Sequence, residues 1–270
     1  MVTARYQALS SLLLLLLPAT FAHPHPQIPD EPPNDGDMPV TNLNQFTTNL
    51  CTDIQTSTLN SLFDDINHDI PTILNSITQG LASPNGFPAL FKTEANIAPV
   101  TTLFQRIGNR DRLNTGVIRY SVLFTCVNPG ERYTSQMFQY SLQNPDVPAA
   151  SDSKNNDIFI FPLFWELLRG PSYTQCPGIE GNRALPNDGR LVASQYGTIV
   201  HELADKYLHF GESREHWTAS VESYSVQDAI DLSAEDSLQN AQNHALLACC
   251  ECHPYPFMKK GFFAVMIFAC

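Results

Sequence analysis

The residues best placed to do chemistry are His201, Glu202 and Asp205, which stand in the order His-Glu-Leu-Ala-Asp. This segment matches the metal-binding pattern H-E-x-x-H in its first two places and carries Asp where the second His would stand. In a helix, positions 201 and 205 lie one turn apart on the same face, so an imidazole and a carboxylate there can chelate one zinc ion. Glu202, offset by about 100°, can reach a metal-bound water as general base. The alternative is that the three side chains form a solvated polar edge, with an ordinary contact between Asp205 and a lysine or histidine.

The sequence around this motif predicts a helix. Apolar and aromatic residues follow a helical period on one stripe, namely Tyr196, Ile199, Val200, Leu203, Ala204, Tyr207 and Leu208. Ser194 suits the N-cap, and Gly211 suits the end of the helix. A second helix is expected from Ser233, which opens a segment similar to a capping box, through Ala248.

The elements ahead of this helix must position it. Apolar spacing over residues 43–77 predicts helices broken around Pro71, and residues 100–107 predict a shorter helix. The segments 117–127 and 158–165 are rich in β-branched and aromatic residues and predict strands. Helices therefore outnumber strands, and the expected fold is an α+β domain dominated by helix.

Composition excludes one class of partner. The 270 residues include 15 Lys plus Arg against 27 Asp plus Glu, a net charge of −12, so most of the surface repels phosphate groups and no nucleic-acid partner is expected. A hydrophobic fraction of 43% is enough for a sizeable core.

The N-terminal segment of the chain predicts export. Residues 1–22 read as a signal peptide, with Arg5, an apolar run from Leu12 to Leu17, and a small-residue cleavage site at Ala22. We therefore expect a secreted, extracellular protein. Residues 23–41 form a Pro-rich acidic tail, and residues 253–270 form a C-terminal tail of unknown role. A membrane anchor at residues 1–22 is disfavoured because their apolar stretch is about half the length of a spanning helix, and the short apolar run of the C-terminal tail cannot span a bilayer either. No membrane partner is expected.

Because the protein is expected to be exported, its seven cysteines are expected to form disulfide bonds, which persist in the oxidising environment outside the cell. At most three intramolecular bonds can form. Spacing leaves their connectivity open among Cys51, Cys126, Cys176, Cys249, Cys250, Cys252 and Cys270.

Two flanking segments support a family resemblance. Residues 158–165 read I-F-I-F-P-L-F-W and residues 240–248 read N-A-Q-N-H-A-L-L-A. With the motif at His201 between them, they resemble, in order and spacing, the deuterolysin family of fungal zinc endopeptidases, the aspzincins. That family has an edge strand of type I-x-x-C-P-x-F-F ahead of its zinc helix and an alanine-rich helix of type N-A-D-S-Y-A-L-Y-A after it. The resemblance covers roughly residues 45–250.

The resemblance implies a zincin-like single domain over residues 42–252, with a small sheet ahead of the zinc helix. It implies a zinc metalloendopeptidase that acts on a protein or peptide substrate, with His201 as metal ligand and Glu202 as catalytic base. The family segment G-T-x-D-x-x-Y-G is reduced here to Gly211-Glu212 and a later Tyr224. Val221 falls at the third ligand position, so Glu222 is the nearest substitute, and Tyr224 resembles the family tyrosine that steadies the oxyanion.

The departures from the family fall on the ligands themselves. A set of His201, Asp205 and Glu222 places two carboxylates on zinc, which offsets the charge that lowers the pKa of bound water. His209 and His216 are further candidate ligands, with helix capping or surface exposure as the alternative, and Tyr224 is equally suited to a core position. One rival function is a non-catalytic secreted binding module that retains the protease fold. Another is a structural protein of an acidic extracellular matrix, which leaves the His201 helix unexplained.

Overall fold

The computed structural model describes residues 46–79, 87–114, 119–151, 154–170, 194–211 and 226–252. These residues form the expected α+β domain, rich in helix and with a small mixed sheet. The α-helices in these ranges are α1 Asp53–Gln79, α2 Phe87–Phe91, α3 Ile97–Asn109, α4 Ser135–Gln143, α5 Gln195–His209, α6 Val226–Asp231, α7 Ala234–Gln239 and α8 Ala241–Cys252. The strands are β1 Thr47–Asn49, β2 Leu113–Asn114, β3 Arg119–Tyr120, β4 Leu123–Cys126, β5 Ala149–Ser151 and β6 Asp157–Ile160.

The main sheet has the strand order β1-β4-β6-β5. Strand β4 runs parallel to both β1 and β6, whereas β5 runs antiparallel to β6 and forms one edge. The segment 158–165 therefore supplies an internal strand and not the edge strand that the family resemblance implied. It is a strand only to Ile160, because Pro162 begins a short 3-10 helix.

Side chains alternate between the two faces of this sheet. Phe124 and Ile158 point into the main core, where α1, α3, α5 and α8 contribute most of the buried apolar residues. Phe159 and Phe161 point the other way and pack against Met137 of α4. The sheet therefore separates the α5 side of the domain from the α4 side.

The sequence predicted a break between helices around Pro71, and this prediction is wrong. Helix α1 is continuous over 27 residues and contains Pro71 in its interior. Proline removes one backbone donor, but Pro71 and Asn67 are exposed, so water can satisfy the carbonyl that proline leaves without a partner. Buried isoleucines on both sides, such as Ile66 and Ile73, hold the helix on the core. At Gly108 of α3, an added Cβ would lie 3.1 Å from Ile70, which shows how closely α3 approaches α1.

The helix predicted from residue 43 begins later in the structure, at Asp53. Residues 47–49 form β1, and Ile54, counted as part of the apolar stripe, is 80% exposed. Parallel pairing of Thr48 with Phe124 decides the extended conformation. A disulfide between Cys51 and Cys126, 75 residues apart, joins the end of β1 to the end of β4. The expectation of disulfide bonding is thus confirmed for this pair.

The segment after Ser233 forms two helices and not one. Ser233 caps α7 as expected, since its hydroxyl accepts a hydrogen bond from the Asp236 N–H. The chain is extended at Asn240, whose side-chain oxygen accepts from the Gln242 N–H at 3.3 Å and so caps α8. Asparagine competes with the helical backbone for hydrogen bonds, which explains the break.

Helix α3 contains the helix predicted at residues 100–107. The single strand predicted over residues 117–127 is instead two short strands, β3 and β4, which belong to different sheets. None of the described helices is both long enough and apolar enough to cross a bilayer. The signal peptide (1–22), the acidic tail (23–41) and the C-terminal tail (253–270) lie outside the described residues.

Candidate functional site

Helix α5 forms as its sequence predicts. The Ser194 hydroxyl accepts a hydrogen bond from the Gly197 N–H at 3.0 Å, so it is the N-cap. The helix ends at His209, and Gly211 follows with a positive φ of 83° that glycine adopts without strain. Six of the seven stripe residues are buried, namely Tyr196, Ile199, Val200, Leu203, Ala204 and Tyr207.

Two helices fix the position of α5 in the core. The Arg106 guanidinium of α3 donates to the Tyr207 carbonyl oxygen at 3.0 Å and lies 4.8 Å from the centre of the Tyr207 ring. The Tyr207 hydroxyl donates to the Asp111 carbonyl oxygen at 2.7 Å, and burial raises its pKa above the usual range. Helix α8 also packs against α5 and contributes a polar partner to His201.

That partner is Gln242, whose Oε1 lies 3.0 Å from the His201 Nδ1. An amide oxygen can only accept a hydrogen bond, so Nδ1 carries the proton and the lone pair of the neutral ring is at Nε2. His201 is half-buried, and Gln242 is fully buried. The ring is therefore set in one tautomer by a contact between two helices.

Glu202 and Asp205 are buried, with 7% and 8% of their surfaces exposed, so these two side chains do not form a solvated edge, whereas His201 is half-buried. The Ser151 hydroxyl of β5 donates to Asp205 Oδ2. Asp205 Oδ1 lies 3.9 Å from His209 Nε2. Asp205 thus connects α5 to the edge strand of the sheet and to the last turn of its own helix.

Two histidines satisfy the last carbonyl groups of α7. His209 Nε2 donates to the Gln239 backbone carbonyl oxygen at 2.9 Å, and His244 Nε2 donates to the Leu238 backbone carbonyl oxygen at 3.1 Å. Burial lowers the pKa of His244 to about 4, against the raising effect of its hydrogen bond to Leu238, and the nearby His209 and His201 lower it further. His244 is therefore neutral at pH 7, and His209 caps α7 from the end of α5.

The described residues supply only part of the expected metal ligand set. His201 and Asp205 lie one turn apart on α5, but no group of three His, Cys, Asp or Glu side chains in these ranges is arranged to hold an ion. Glu222, Tyr224 and His216 lie outside the described residues. A carboxylate has about four acceptor directions, so the hydrogen bond from Ser151 leaves Asp205 able to coordinate a cation. His201 and Asp205 are donors of types that zinc accepts, but the described residues bring no third such side chain to them.

A separate cleft of about 370 Å³ lies beside the first turn of α5. Its lining comprises Asp65, His68, Asp69, Arg169, Gly170 and Tyr196. The Arg169 guanidinium forms an ion pair with Asp65 at 2.6 Å across this cleft. None of His201, Glu202 and Asp205 lines it, so it is distinct from the candidate metal site.

Sequence reasoning missed Gln242 and Ser151. Gln242 is the third residue of the alanine-rich segment 240–248. A polar residue on the inward face of an otherwise apolar helix is the sequence feature that could have identified it. Ser151 follows two alanines in a three-residue strand, which is too short to show a period.

Comparisons with known proteins identify no family. No protein-family model matches the chain, and no curated protein matches it significantly.

Proposed function

We propose that this chain is a secreted metalloendopeptidase-like protein that hydrolyses peptide bonds with a zinc-activated water, and that α5 is its catalytic helix. The observation that carries the proposal is the 3.0 Å contact between His201 Nδ1 and Gln242 Oε1. Histidines that bind metals nearly always donate their second ring N–H to a fixed acceptor, which directs the other nitrogen to the ion. The resemblance to the deuterolysin family supports the same assignment.

The proposed ligands are His201, Asp205 and Glu222. When bound there, zinc would lower the pKa of a bound water and polarise the substrate carbonyl. Two anionic ligands reduce the effective charge of the ion, so we expect slow hydrolysis.

Glu202 is the proposed catalytic base. It directly follows His201 on a capped helix, about 100° further around the helix axis, and only 7% of its surface is exposed. A carboxylate there would take a proton from the attacking water and pass it to the leaving amine. Tyr224 is the proposed donor to the oxyanion.

The test begins with the metal content of purified protein and with casein hydrolysis between pH 4 and 9. We expect about one zinc per chain, hydrolysis that a chelator abolishes, and recovery on addition of zinc. Glu202→Gln should abolish hydrolysis and keep the zinc, whereas Glu166→Gln, a change at an exposed glutamate, should leave both unchanged. Protein that binds no zinc and cleaves no casein would rule out this function.

A non-catalytic secreted binding module is the second candidate. The observation in its favour is that Asp205 is engaged by Ser151 and faces His209, as a purely structural carboxylate would be. Asp205→His distinguishes the two. If Asp205 is a ligand, a second imidazole one turn from His201 should tighten zinc binding about tenfold. If Asp205 is structural, the change should leave zinc affinity alone and lower stability by about 1–3 kcal/mol, because Ser151 loses its acceptor.

A further inference from the structure

We infer that Gln242 is a positioning residue, which acts through His201 by fixing the tautomer and orientation of its ring. The inference deepens the proposed function and rests on it for its purpose, but the contact between the two side chains stands by itself. Gln242 belongs to α8 and His201 to α5, so the contact joins two elements that come together only in the folded chain.

The burial of the Gln242 amide and the missing partner of its Nε2 within the described part of the chain indicate a role other than stabilising the fold. Its side chain is 1% exposed, and its Nε2 has no hydrogen-bond partner among the described residues. A buried donor without a partner costs free energy, and an apolar residue of the same shape would avoid that cost. One acceptor contact, to His201, is the feature that an apolar residue cannot supply.

Helix α8 holds Gln242 in register with His201. The preceding Asn240 accepts from the Gln242 N–H, and the following Asn243 donates to the carbonyl oxygens of Leu90 and Ala229 at 2.8 and 3.1 Å. These bonds fix how α8 is rotated about its axis. The amide oxygen is therefore presented to His201 by a rigid element, as a supporting contact requires.

A neutral amide also suits the charge of the proposed site. Asp205 and Glu222 would already bring two negative charges to a divalent ion, and a carboxylate behind His201 would add a third nearby. Gln242 orients the ring and adds no charge. The expected consequence is a His201 ring with its proton at Nδ1 in the metal-free protein.

The experiment is nitrogen NMR of 15N-histidine-labelled, metal-free protein, which distinguishes the two ring tautomers. We compare the unmodified protein with Gln242→Met, which keeps the shape and removes the acceptor, and with Gln242→Glu, which keeps an acceptor oxygen. The control is Gln195→Met, since Gln195 is also buried but donates to the Phe164 carbonyl oxygen and does not touch His201. His201→Gln assigns the signal.

We expect the Nδ1–H tautomer in the unmodified protein, in Gln242→Glu and in Gln195→Met, and a mixture or the Nε2–H form in Gln242→Met. Zinc titration should show a 10- to 100-fold weaker affinity for Gln242→Met alone. An Nε2–H ring in the unmodified protein, or a Gln242→Met variant with an unchanged tautomer, would overturn the inference. If the tautomer behaves as expected but no variant binds zinc, the positioning role holds and the proposed function fails.

Discussion

His244 should make the fold sensitive to acid. It is fully buried between Phe91 and Phe104, with ring centres 4.9 and 6.0 Å away, and its Nε2 donates to the Leu238 carbonyl oxygen. Burial lowers the pKa of His244 from 6.5 to about 4 in the folded protein. Between these values the unfolded chain binds more protons than the folded one, so the free energy of unfolding falls as the pH falls from 6.5 to about 4.

The lowered pKa of His244 determines how much unfolding free energy is lost in acid. A difference of this size between the folded and unfolded pKa of His244 is worth about 3 kcal/mol, fully present above pH 6.5 and lost near pH 4. The substitution that isolates it is His244→Gln, because the glutamine amide can still donate to Leu238 and does not titrate. We expect the variant to lose about 1–2 kcal/mol at pH 7, through weaker packing, and to show a flatter decline toward pH 4.

Urea unfolding at half-unit steps from pH 7.5 to 4 measures this slope. The midpoint of the unmodified protein should fall by on the order of 1–2 M more than that of His244→Gln. His68→Gln changes an exposed histidine of α1 and serves as the control, with a slope like that of the unmodified protein. Parallel curves for all three proteins would refute the reasoning, because the acid sensitivity would then come from other groups.

Three further changes test the frame that positions α5. Reduction of the Cys51–Cys126 bond, which closes a 75-residue separation, should lower the free energy of unfolding by about 4 kcal/mol, and an unchanged urea midpoint under reductant would contradict this. Pro71→Ala should raise stability by about 2 kcal/mol, since it restores a helical hydrogen bond in the interior of α1, and a lower melting temperature would show that the proline is needed. Ser194→Ala should cost about 1 kcal/mol in urea unfolding because the Gly197 N–H loses its acceptor, whereas Ser194→Asp should cost less.

Local sequence rules predict α5 because every cause of that helix lies within it. The cap at Ser194, the apolar stripe and the glycine after the last turn are all readable from adjacent residues, and each is in place. Apolar spacing alone predicts the centre of α3, and Ser233 predicts the start of α7. Where local signals agree with tertiary packing, a sequence specifies its structure clearly.

The wrong predictions fall where distant contacts override a local preference. Pro71 disfavours a helix interior, yet buried residues on either side keep α1 continuous. Residues 47–49 fit a helical period, yet pairing with β4 and the disulfide at Cys51 draw them into the sheet. Strand β5 has only three residues, two of them alanine, and depends entirely on β6 for its conformation.

The candidate site shows the same division between spacing and partners. Spacing on one helix correctly placed His201 and Asp205 a turn apart, but it could not show that Ser151 of β5 and Gln242 of α8 lie against them. Those partners bear on function, because one carboxylate oxygen of Asp205 is held by the sheet and the His201 proton is held by α8. A metal ion that uses both side chains would therefore connect the edge strand, α5 and α8 through two hydrogen bonds. Any loss of activity caused by the Asp205 substitution must then be read together with the packing of β5 on α5.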